Sequence, residues 1–484
     1  MAKSIKKNFI YNIFLNVSKV IFPLITAPYV SRVLEPDGVG LFNFANTYAN
    51  WFALFAALGI PFYGIREIAK IKDDKGKQTR FVSEIISIST VSTLIFTLLM
   101  FLSLILVPQL NENYIIFLVA SIVLYLTPLR IEWYYSGKEE FGYITIRSLL
   151  IKTISLILLF VLVKTKDDLL IYVALYAISI VTNDIWNYIK LIRSGINPYF
   201  TLNFRHHIKP LLILFSSSIA IYIYAALDTL MLGFMTDYTE VGYYNCATHL
   251  SKALLPIVTS LSAVALPRIT QFNKENRLEE INHLVRKSFS IAGFLSFPIA
   301  FGVICVAPVF VPLFFGEQFY GTILPLQIVI LTTIIIGYNN LTGIQILLGI
   351  GMDKYFLYSI LAGTITSFSL DLILIPFFGA VGAAISCVCA ESMVLSFMIY
   401  YIHKYTKIRF LNMRELTMNM VISASFLVIS IYVLEIAHGW VGILFDIIVC
   451  AIAYLILQHL CKNNAEIELV RIVKKNIKNK FTVD

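Results

Sequence analysis

The chain has 484 residues, of which 58% are hydrophobic and only 14% are charged. This composition excludes an ordinary soluble protein and predicts an integral membrane protein. The net charge of +9 does not indicate nucleic-acid binding, because the basic residues lie in short loops beside the membrane, where they contact anionic lipid.

Hydrophobic stretches of about 20 residues, the length that a helix needs to cross a bilayer, follow one another along the chain. In chain order, the sequence predicts spans at 9–31, 41–65, 81–107, 114–133, 146–163, 169–190, 211–235, 242–266, 288–314, 323–349, 355–376, 380–402, 416–436 and 440–460. The predicted fold class is therefore all-α integral membrane, with about fourteen transmembrane helices. The basic start of the chain resembles a signal peptide, but the apolar run behind it lacks a cleavage site, so we expect a retained first span.

Basic residues fall almost entirely into alternate gaps between the spans. One set of gaps contains 31 of the 38 Lys and Arg residues, and the opposite set contains only Arg32, Lys164 and Lys166. Because cytoplasmic loops are enriched in Lys and Arg, both termini are predicted to lie in the cytoplasm. The remaining basic residues lie within the spans and are Lys19, Arg130, Lys152 and Lys252.

The two halves of the chain contain an internal repeat. Residues 39–50 align with residues 241–252 without a gap, so that Gly40 matches Gly242. Both copies begin on the same predicted side of the membrane, which indicates parallel repeats related by a pseudo-two-fold axis along the membrane normal.

This repeat predicts the domain organisation. We expect two six-helix bundles followed by two further helices and a basic cytoplasmic tail, at residues 1–200, 201–415, 416–460 and 461–484.

Polar residues recur at helical spacing on spans 1, 2, 7 and 8. Because a polar stripe facing lipid is costly, these faces are predicted to line a wet cavity between the bundles. Lys19 and Lys252 lie near mid-span and would form a cationic patch for an anionic substrate; alternatively, both pair with Asp228 and stabilise bundle contacts. The predicted substrate-binding residues are Asn16, Lys19, Arg32, Asn43, Asn46, Asn50, Asp228, Asn245, His249 and Lys252, and the same stripes include Asn12, Ser217 and Tyr224.

Acidic residues within the spans are candidates for ion coupling. Asp228, Asp371 and Glu391 are predicted to bind a coupling H⁺ or Na⁺, although local hydrogen bonding explains Asp371 and Glu391 equally well. Arg130, Glu132, Lys152 and Asp184 lie closer to the cytoplasmic surface, where snorkelling or local ion pairing is expected.

The sequence contains no motif that predicts catalysis or a bound cofactor. We find neither a phosphate-binding loop nor a hydrolase motif, and the exterior connections are too short to hold a catalytic site. No metal site is expected, because the adjacent residues His206 and His207 would point about 100° apart on a helix. We interpret them as an interfacial patch.

Four short sequence motifs are similar to those of a known protein family. They are Ala27-Pro28-Tyr29-Val30-Ser31-Arg32, Gly38-Val39-Gly40-Leu41-Phe42, Glu132-Trp133-Tyr134-Tyr135-Ser136-Gly137 and Gly242-Tyr243-Tyr244-Asn245. Together they resemble bacterial polysaccharide flippases, the Wzx-type members of the multidrug, oligosaccharidyl-lipid and polysaccharide exporter superfamily. In related flippases of the peptidoglycan precursor, basic residues of spans 1 and 8 line the cavity, which resembles the placement of Lys19 and Lys252. This chain has fewer cavity arginines, which argues against that precursor as its substrate.

The resemblance implies a function at the bacterial cytoplasmic membrane. A multi-pass transporter of this kind would move undecaprenyl-diphosphate-linked oligosaccharide units outward by alternating access, driven by an ion gradient or the membrane potential. Its partners would be the lipid-linked oligosaccharide, membrane lipids, and the polymerase and chain-length proteins of the same pathway, with no nucleic acid. Capsule, O-antigen, exopolysaccharide and teichoic-acid units all fit. The alternatives are a cation-coupled multidrug exporter and, less favoured, a membrane glycan polymerase.

The charge asymmetry generates a topological prediction. Cysteines introduced at Glu112 and Glu317 should react with a membrane-impermeant thiol reagent from outside, and cysteines at Lys75 and Lys274 should not. Labelling at Lys75 from outside would contradict the predicted orientation.

Overall fold

The computed structural model describes residues 5–410 and 412–463, and within these ranges the regular structure is helical, without a strand. The contacts divide the chain into two compact units, Met1–Gly242 and Tyr243–Asp484. The all-α class is therefore confirmed. The four predicted domain boundaries remain predictions, and the part of the predicted tail beyond residue 463 lies outside the described residues.

The first unit contains ten complete helices and the start of an eleventh. They are α1 (Ile5–Ala57), α2 (Ile60–Lys70), α3 (Lys75–Leu106), α4 (Pro108–Asn111), α5 (Tyr114–Ala120), α6 (Ile122–Tyr125), α7 (Glu132–Gly137), α8 (Phe141–Leu162), α9 (Leu169–Arg193), α10 (Arg205–Met235) and the beginning of α11 (Tyr238–Lys274). Short 3₁₀ turns at Thr127–Leu129 and Lys166–Asp168 precede α7 and α9.

The second unit contains the rest of α11 and the helices that follow it. They are α12 (Leu278–Phe315), α13 (Ile323–Val329), α14 (Thr332–Asn340), α15 (Asp353–Tyr405), α16 (Met413–Ala424), α17 (Phe426–Ile436) and α18 (Gly439–Leu460). A 3₁₀ segment at Glu317–Thr322 precedes α13, and a π-helix at Leu341–Leu348 follows α14.

Nine helices of the described residues are long and apolar enough to cross a membrane, and two shorter apolar helices accompany them. Two of the nine belong to α1 and α15, which are 53 residues long. α15 covers two predicted spans, and α1 covers the first predicted span and the second as far as Ala57. The multi-pass membrane character is therefore supported. The predicted number of fourteen crossings and the cytoplasmic position of the termini remain predictions.

Backbone breaks divide both long helices at the gaps between their predicted spans. Glu35 in α1 has φ 59° and ψ 172°, and Gly379 in α15 has φ 50° and ψ −128°. A positive φ cannot continue a right-handed helix, and Pro36 lacks the N–H that would bond back across the first break. Each long helix therefore consists of two helical segments that meet at a backbone kink.

The predicted fourth span, 114–133, is not one continuous helix. It consists of α5, α6, the 3₁₀ turn at Thr127–Leu129 and the start of α7. Pro128 at the start of that turn cannot donate a backbone hydrogen bond, which explains one of the interruptions. Hydropathy reports the length of an apolar segment and is insensitive to such breaks.

Aromatic side chains fill the core of each unit. In the first unit, Phe44 is fully buried and lies edge-on to Phe117 and Phe234, with ring centroids 5.5 Å and 5.0 Å away. In the second unit, the Tyr454 hydroxyl donates to the Phe294 carbonyl oxygen at 2.9 Å, and the two rings lie 5.2 Å apart. These contacts connect helices that are distant in sequence and so stabilise the helical packing.

The glycines of the internal repeat lie where two backbones meet within the first unit. A Cβ added to Gly40 would overlap the carbonyl oxygen of Tyr238, and a Cβ added to Gly242 would overlap that of Pro36. The offset that aligns Gly40 with Gly242 also aligns Pro36 with Tyr238. The Gly40–Tyr238 contact and the Gly242–Pro36 contact are therefore equivalent under the repeat. The repeat therefore has a physical basis here, because both copies require a residue without a side chain.

This contact predicts that Gly40→Ala is strongly destabilising. The new methyl group would force the two backbones apart, at a cost of at least about 1–3 kcal/mol. Thermal unfolding of the purified protein in detergent measures the loss. The matched control is Gly302→Ala, since a Cβ at Gly302 meets nothing within 4 Å. Equal melting temperatures for the two variants would contradict the proposed close approach.

Candidate functional site

A cationic face begins on α1. Lys19 and Asn16 are both exposed, and Lys19 makes no ion pair among the described residues of the first unit. Arg32, near the other end of the same predicted span, is also exposed. Because Lys19 lies near mid-span, its exposure identifies a surface that must be wet or in contact with a polar ligand.

Lys152 on α8 joins this face. Its ammonium group donates to the Ser18 hydroxyl oxygen at 3.2 Å and lies 5.5 Å from the centroid of the Phe22 ring. Lys152 and Lys19 also interact electrostatically as like charges. The two ammonium groups lie on different helices, α1 and α8, and repel each other. An anion bound between them would therefore be stabilised.

Two arginines near this face are held by acidic partners, as the sequence predicted for the charges closest to the cytoplasmic surface. Arg130 lies 3.5 Å from the Asp184 carboxylate, and Arg147 lies 2.7 Å from the Glu132 carboxylate. The local ion pairing expected for Arg130, Glu132 and Asp184 is therefore confirmed, whereas Lys152, named with them, makes no ion pair among the described residues.

The position of Arg147 corrects the sequence analysis. Arg147, at the start of predicted span 146–163, is one of the 31 basic residues assigned above to cytoplasmic gaps, but it lies inside α8 with only 2% of its side chain exposed. Its guanidinium also donates to the Asn183 side chain at 3.0 Å and to the Asn187 side chain. These partners lie 36 and 40 residues away along the chain, so helical periodicity could not reveal them.

The asparagines of span 2 have partly internal partners. Asn43 donates to the Val39 carbonyl oxygen at 2.8 Å, and Asn50 donates to the carbonyl and side-chain oxygens of Asn46 at 2.8 Å and 2.9 Å. Tyr176 on α9 also hydrogen-bonds Asn46. All three asparagines are half-buried, so they remain partly accessible beside these bonds.

In the second unit, the predicted stripe on α11 is divided between buried and exposed residues. Asn245 is 8% exposed, whereas His249 and Lys252, one and two turns further on, are exposed. Lys252 makes no ion pair among the described residues of its own unit, and its charge acts on His249. The imidazole and the ammonium group therefore form a second polar face, on which a ligand has access to both.

The intramembrane acids of the second unit are buried and hydrogen-bonded. Glu391 is 8% exposed and accepts a hydrogen bond from the Asn339 amide at 2.6 Å. Asp371 is fully buried and accepts from the Ser367 hydroxyl at 3.4 Å. Local hydrogen bonding was the alternative explanation for these two residues, and both make such bonds. Ion coupling at these residues remains a prediction. Asp228, in the first unit, is half-buried.

The charged group around Lys19 consists of residues outside the predicted site. Within the first unit, Lys19 is joined by three basic residues that the sequence analysis had not included in the site, Arg130, Arg147 and Lys152, and by the acids Glu132 and Asp184. This group has an excess of positive charge. The side chains of Asn12, Ser217 and Tyr224 lie outside those that the structure describes.

Comparisons with known proteins identify relatives of this chain. A family model described as "Polysaccharide biosynthesis protein" matches residues 5–273. The chain is 26% identical over 413 residues to the putative O-antigen transporter of Escherichia coli (strain K12), covering 82% of this chain and 97% of that protein. It is 22% identical over 199 residues to the probable low-salt glycan biosynthesis flippase Agl15 of Haloferax volcanii, covering 40% of this chain and 41% of that protein.

Two solved structures show a similar fold. Lipid II flippase MurJ in its inward closed conformation has a TM-score of 0.75 at 14% identity, over 93% of this chain and 98% of that one. An inward-facing multidrug resistance transporter of the MATE family has a TM-score of 0.58 at 14% identity, over 80% of this chain and 94% of that one. The chain therefore shares the fold of these two structures.

The buried arginine generates a prediction. Arg147→Met removes the donor that Asn183, Asn187 and Glu132 share, which should cost roughly 1–3 kcal/mol for each buried acceptor left without a partner. The melting temperature of the purified protein should fall accordingly. Arg66→Met is the control, because Arg66 is 53% exposed and its ion pair is with its sequence neighbour Glu67, so its loss should change stability by less than about 0.5 kcal/mol. Arg147 would be dispensable for the fold if both variants melted alike.

Proposed function

Because this chain belongs to the polysaccharide biosynthesis protein family, we propose that it moves a lipid-linked oligosaccharide across the cytoplasmic membrane for the assembly of a cell-surface polysaccharide. The predicted resemblance to Wzx-type flippases is confirmed by this family match and by the putative O-antigen transporter. The chain is a multi-pass membrane transporter and not an enzyme. A bacterial cytoplasmic membrane, an undecaprenyl-diphosphate carrier and outward movement are parts of the proposal.

The observation that carries the proposal is the cationic face of the first unit. A diphosphate with attached sugars cannot cross about 30 Å of hydrocarbon unaided, because its charges and hydroxyl groups would lose their water. The exposed Lys19 and the neighbouring Lys152 offer positive charge within a span, where attraction to a diphosphate is strong. The prenyl tail can remain in lipid while the head crosses in contact with protein.

Amide groups supply the second requirement, which is recognition of sugar hydroxyls. Asn43, Asn46 and Asn50 are half-buried, so each combines an internal bond with an accessible face. An amide both donates and accepts hydrogen bonds, which suits hydroxyl groups of varied geometry. Substrate binding by Asn245, His249 and Lys252 on α11 of the second unit, and by Arg32 at the end of the first predicted span, is also part of the proposal.

The energy source is part of the proposal as well. An inside-negative potential favours outward movement of a diphosphate by about 2.3 kcal/mol per charge per 100 mV. Asp228, Asp371 and Glu391 are the candidates for a coupling H⁺ or Na⁺, since an intramembrane carboxylate can exchange its proton or accept a cation. The polymerase and chain-length proteins of the pathway are proposed partners.

Export of small cations is the second candidate, and the MATE-like fold favours it. The two functions require opposite electrostatics, because a cation exporter needs an acidic or aromatic pocket. The like-charged pair Lys19 and Lys152 opposes this function.

Reconstituted vesicles test the proposal. With a fluorescent undecaprenyl-diphosphate-linked sugar, Lys19→Ala and Lys252→Ala should each lower the flipping rate by about tenfold to a hundredfold, since each removes a charge-assisted contact. Lys252→Arg should retain part of the activity because it keeps the charge with altered geometry. Lys166→Ala, in an outer connection, is the control and should flip at the normal rate.

Two further arms separate the alternatives. Efflux of a cationic dye by the same vesicles, together with normal sugar flipping by both alanine variants, would overturn the proposal in favour of cation export. Collapsing the membrane potential should slow flipping of the wild-type protein, and an unchanged rate without any gradient would exclude the coupling and indicate a passive scramblase.

A further inference from the structure

A separate group of ligand-type side chains lies at the predicted cytoplasmic end of the first unit, outside the candidate cavity. It consists of Glu84 on α3 and of His206 and His207 in the first turn of α10. The two imidazole Nε2 atoms lie 3.5 Å and 2.9 Å from the same carboxylate oxygen, Oε2 of Glu84. One ligand atom from each of the three residues falls within 4.8 Å of the others.

The two histidines converge, contrary to the expectation from their adjacent positions. Their ring centroids are 3.8 Å apart. The 100° separation along a helix applies to Cα–Cβ directions, and rotation about the two side-chain torsions of each histidine turns both rings towards Glu84 on α3. The prediction that this pair could not share a ligand was therefore wrong in its geometry.

Neighbouring residues hold two of the three ligands in position. The Tyr63 hydroxyl lies 2.7 Å from Nδ1 of His207, which leaves Nε2 directed at Glu84. Arg80 donates to the other carboxylate oxygen, Oε1, at 3.0 Å, so Oε2 remains available. Metal-binding histidines are commonly oriented in this way, through a hydrogen bond to the second ring nitrogen.

Exposure differs among the three side chains in a way that suits a metal site. Glu84 and His207 are 6% and 5% exposed, whereas His206 is 56% exposed. Two preordered ligands therefore lie beneath a third that borders the solvent. A cation arriving from the cytoplasm would reach His206 first and could keep a water molecule in its remaining position.

We propose that Glu84, His206 and His207 form a cytoplasmic binding site for a divalent transition-metal ion of the zinc class. Tetrahedral zinc with nitrogen and oxygen ligands at about 2.0–2.2 Å separates those ligand atoms by about 3.3 Å. The His206–Glu84 distance of 3.5 Å already matches, and the His207–Glu84 hydrogen bond of 2.9 Å must open by a few tenths of an ångström.

The ligand set selects against the common hard cations. Mg²⁺ and Ca²⁺ prefer six or more oxygen ligands, and this group supplies two imidazole nitrogens and one carboxylate oxygen. Two histidines with one glutamate are typical of zinc sites that retain a water molecule. Zn²⁺ should therefore bind, and millimolar Mg²⁺ should not displace it.

The bound ion would connect two elements that already meet through the segment before α10. Backbone N–H groups of Tyr199 and Thr201 each donate at 3.0 Å to serine hydroxyls of α3. A metal shared between Glu84 on α3 and the first turn of α10 would extend this attachment by coordinate bonds. Zinc should consequently raise the thermal stability of the folded chain.

The test uses the full-length chain, purified in detergent with a tag other than polyhistidine. After chelator treatment and dialysis against micromolar Zn²⁺, elemental analysis should find about one zinc ion per chain. His206→Ala should lower the zinc affinity at least about tenfold, because one of three ligands is lost. This variant leaves the Tyr63–His207 and Glu84–His207 bonds in place, so it should fold.

His283→Ala is the control, because it removes an exposed cytoplasmic histidine outside the cluster. It should bind zinc as tightly as the wild-type chain and show the same zinc-dependent rise in melting temperature. Co²⁺ substitution should produce visible absorption bands of a tetrahedral nitrogen and oxygen site in the control and not in His206→Ala. No zinc binding by the wild-type chain, or equal binding by His206→Ala, would overturn the proposal.

Discussion

Desolvation determines where the charges of this protein lie. Hydrocarbon forms no hydrogen bonds, so a charged group within a span needs a partner on a neighbouring helix or access to a wet face. Arg147 and Glu391 have partners on neighbouring helices, since each is hydrogen-bonded to an amide side chain there. Lys19 and Lys252 have access to a wet face, since each is exposed and forms no ion pair among the described residues of its own unit. This difference separates charges that stabilise the fold from charges that are available to a ligand.

Sequence patterns predicted what depends on local chemistry. The apolar segments predicted the helices, and the gaps between them predicted the breaks at Glu35 and Gly379. The patterns missed what depends on distant partners, such as the burial of Arg147 and the convergence of His206 and His207 on one carboxylate. Periodicity identifies the face on which a residue lies, but not which side chain from another helix meets it. The breaks within the fourth span were not predicted either, because hydropathy is averaged over a whole apolar segment and does not detect them.

The candidate site illustrates the same distinction. The asparagines of span 2 lie on one face, as predicted, yet Asn43 and Asn50 use part of their hydrogen-bonding capacity on their own helix. Such internal bonds lower the cost of an amide inside the membrane and still leave lone pairs and N–H groups for a ligand. Among the described residues, Lys152 makes no such bond to a neighbouring turn of its own helix, and its contact with Ser18 brings it next to Lys19. Charge is therefore concentrated at one part of the face, and neutral polar groups occupy another.

The two copies of the internal repeat share their backbone contacts but differ in their polar residues. Gly40 and Gly242 make equivalent backbone contacts, so the steric requirement for glycine falls on both copies. Farther along the same alignment, Asn50 corresponds to Lys252, so the charge is not repeated. The backbone crossing is thus symmetric, whereas the polar faces built on it are different. Each polar face of the repeat therefore offers a different chemistry, neutral amides on span 2 and an ammonium group on α11.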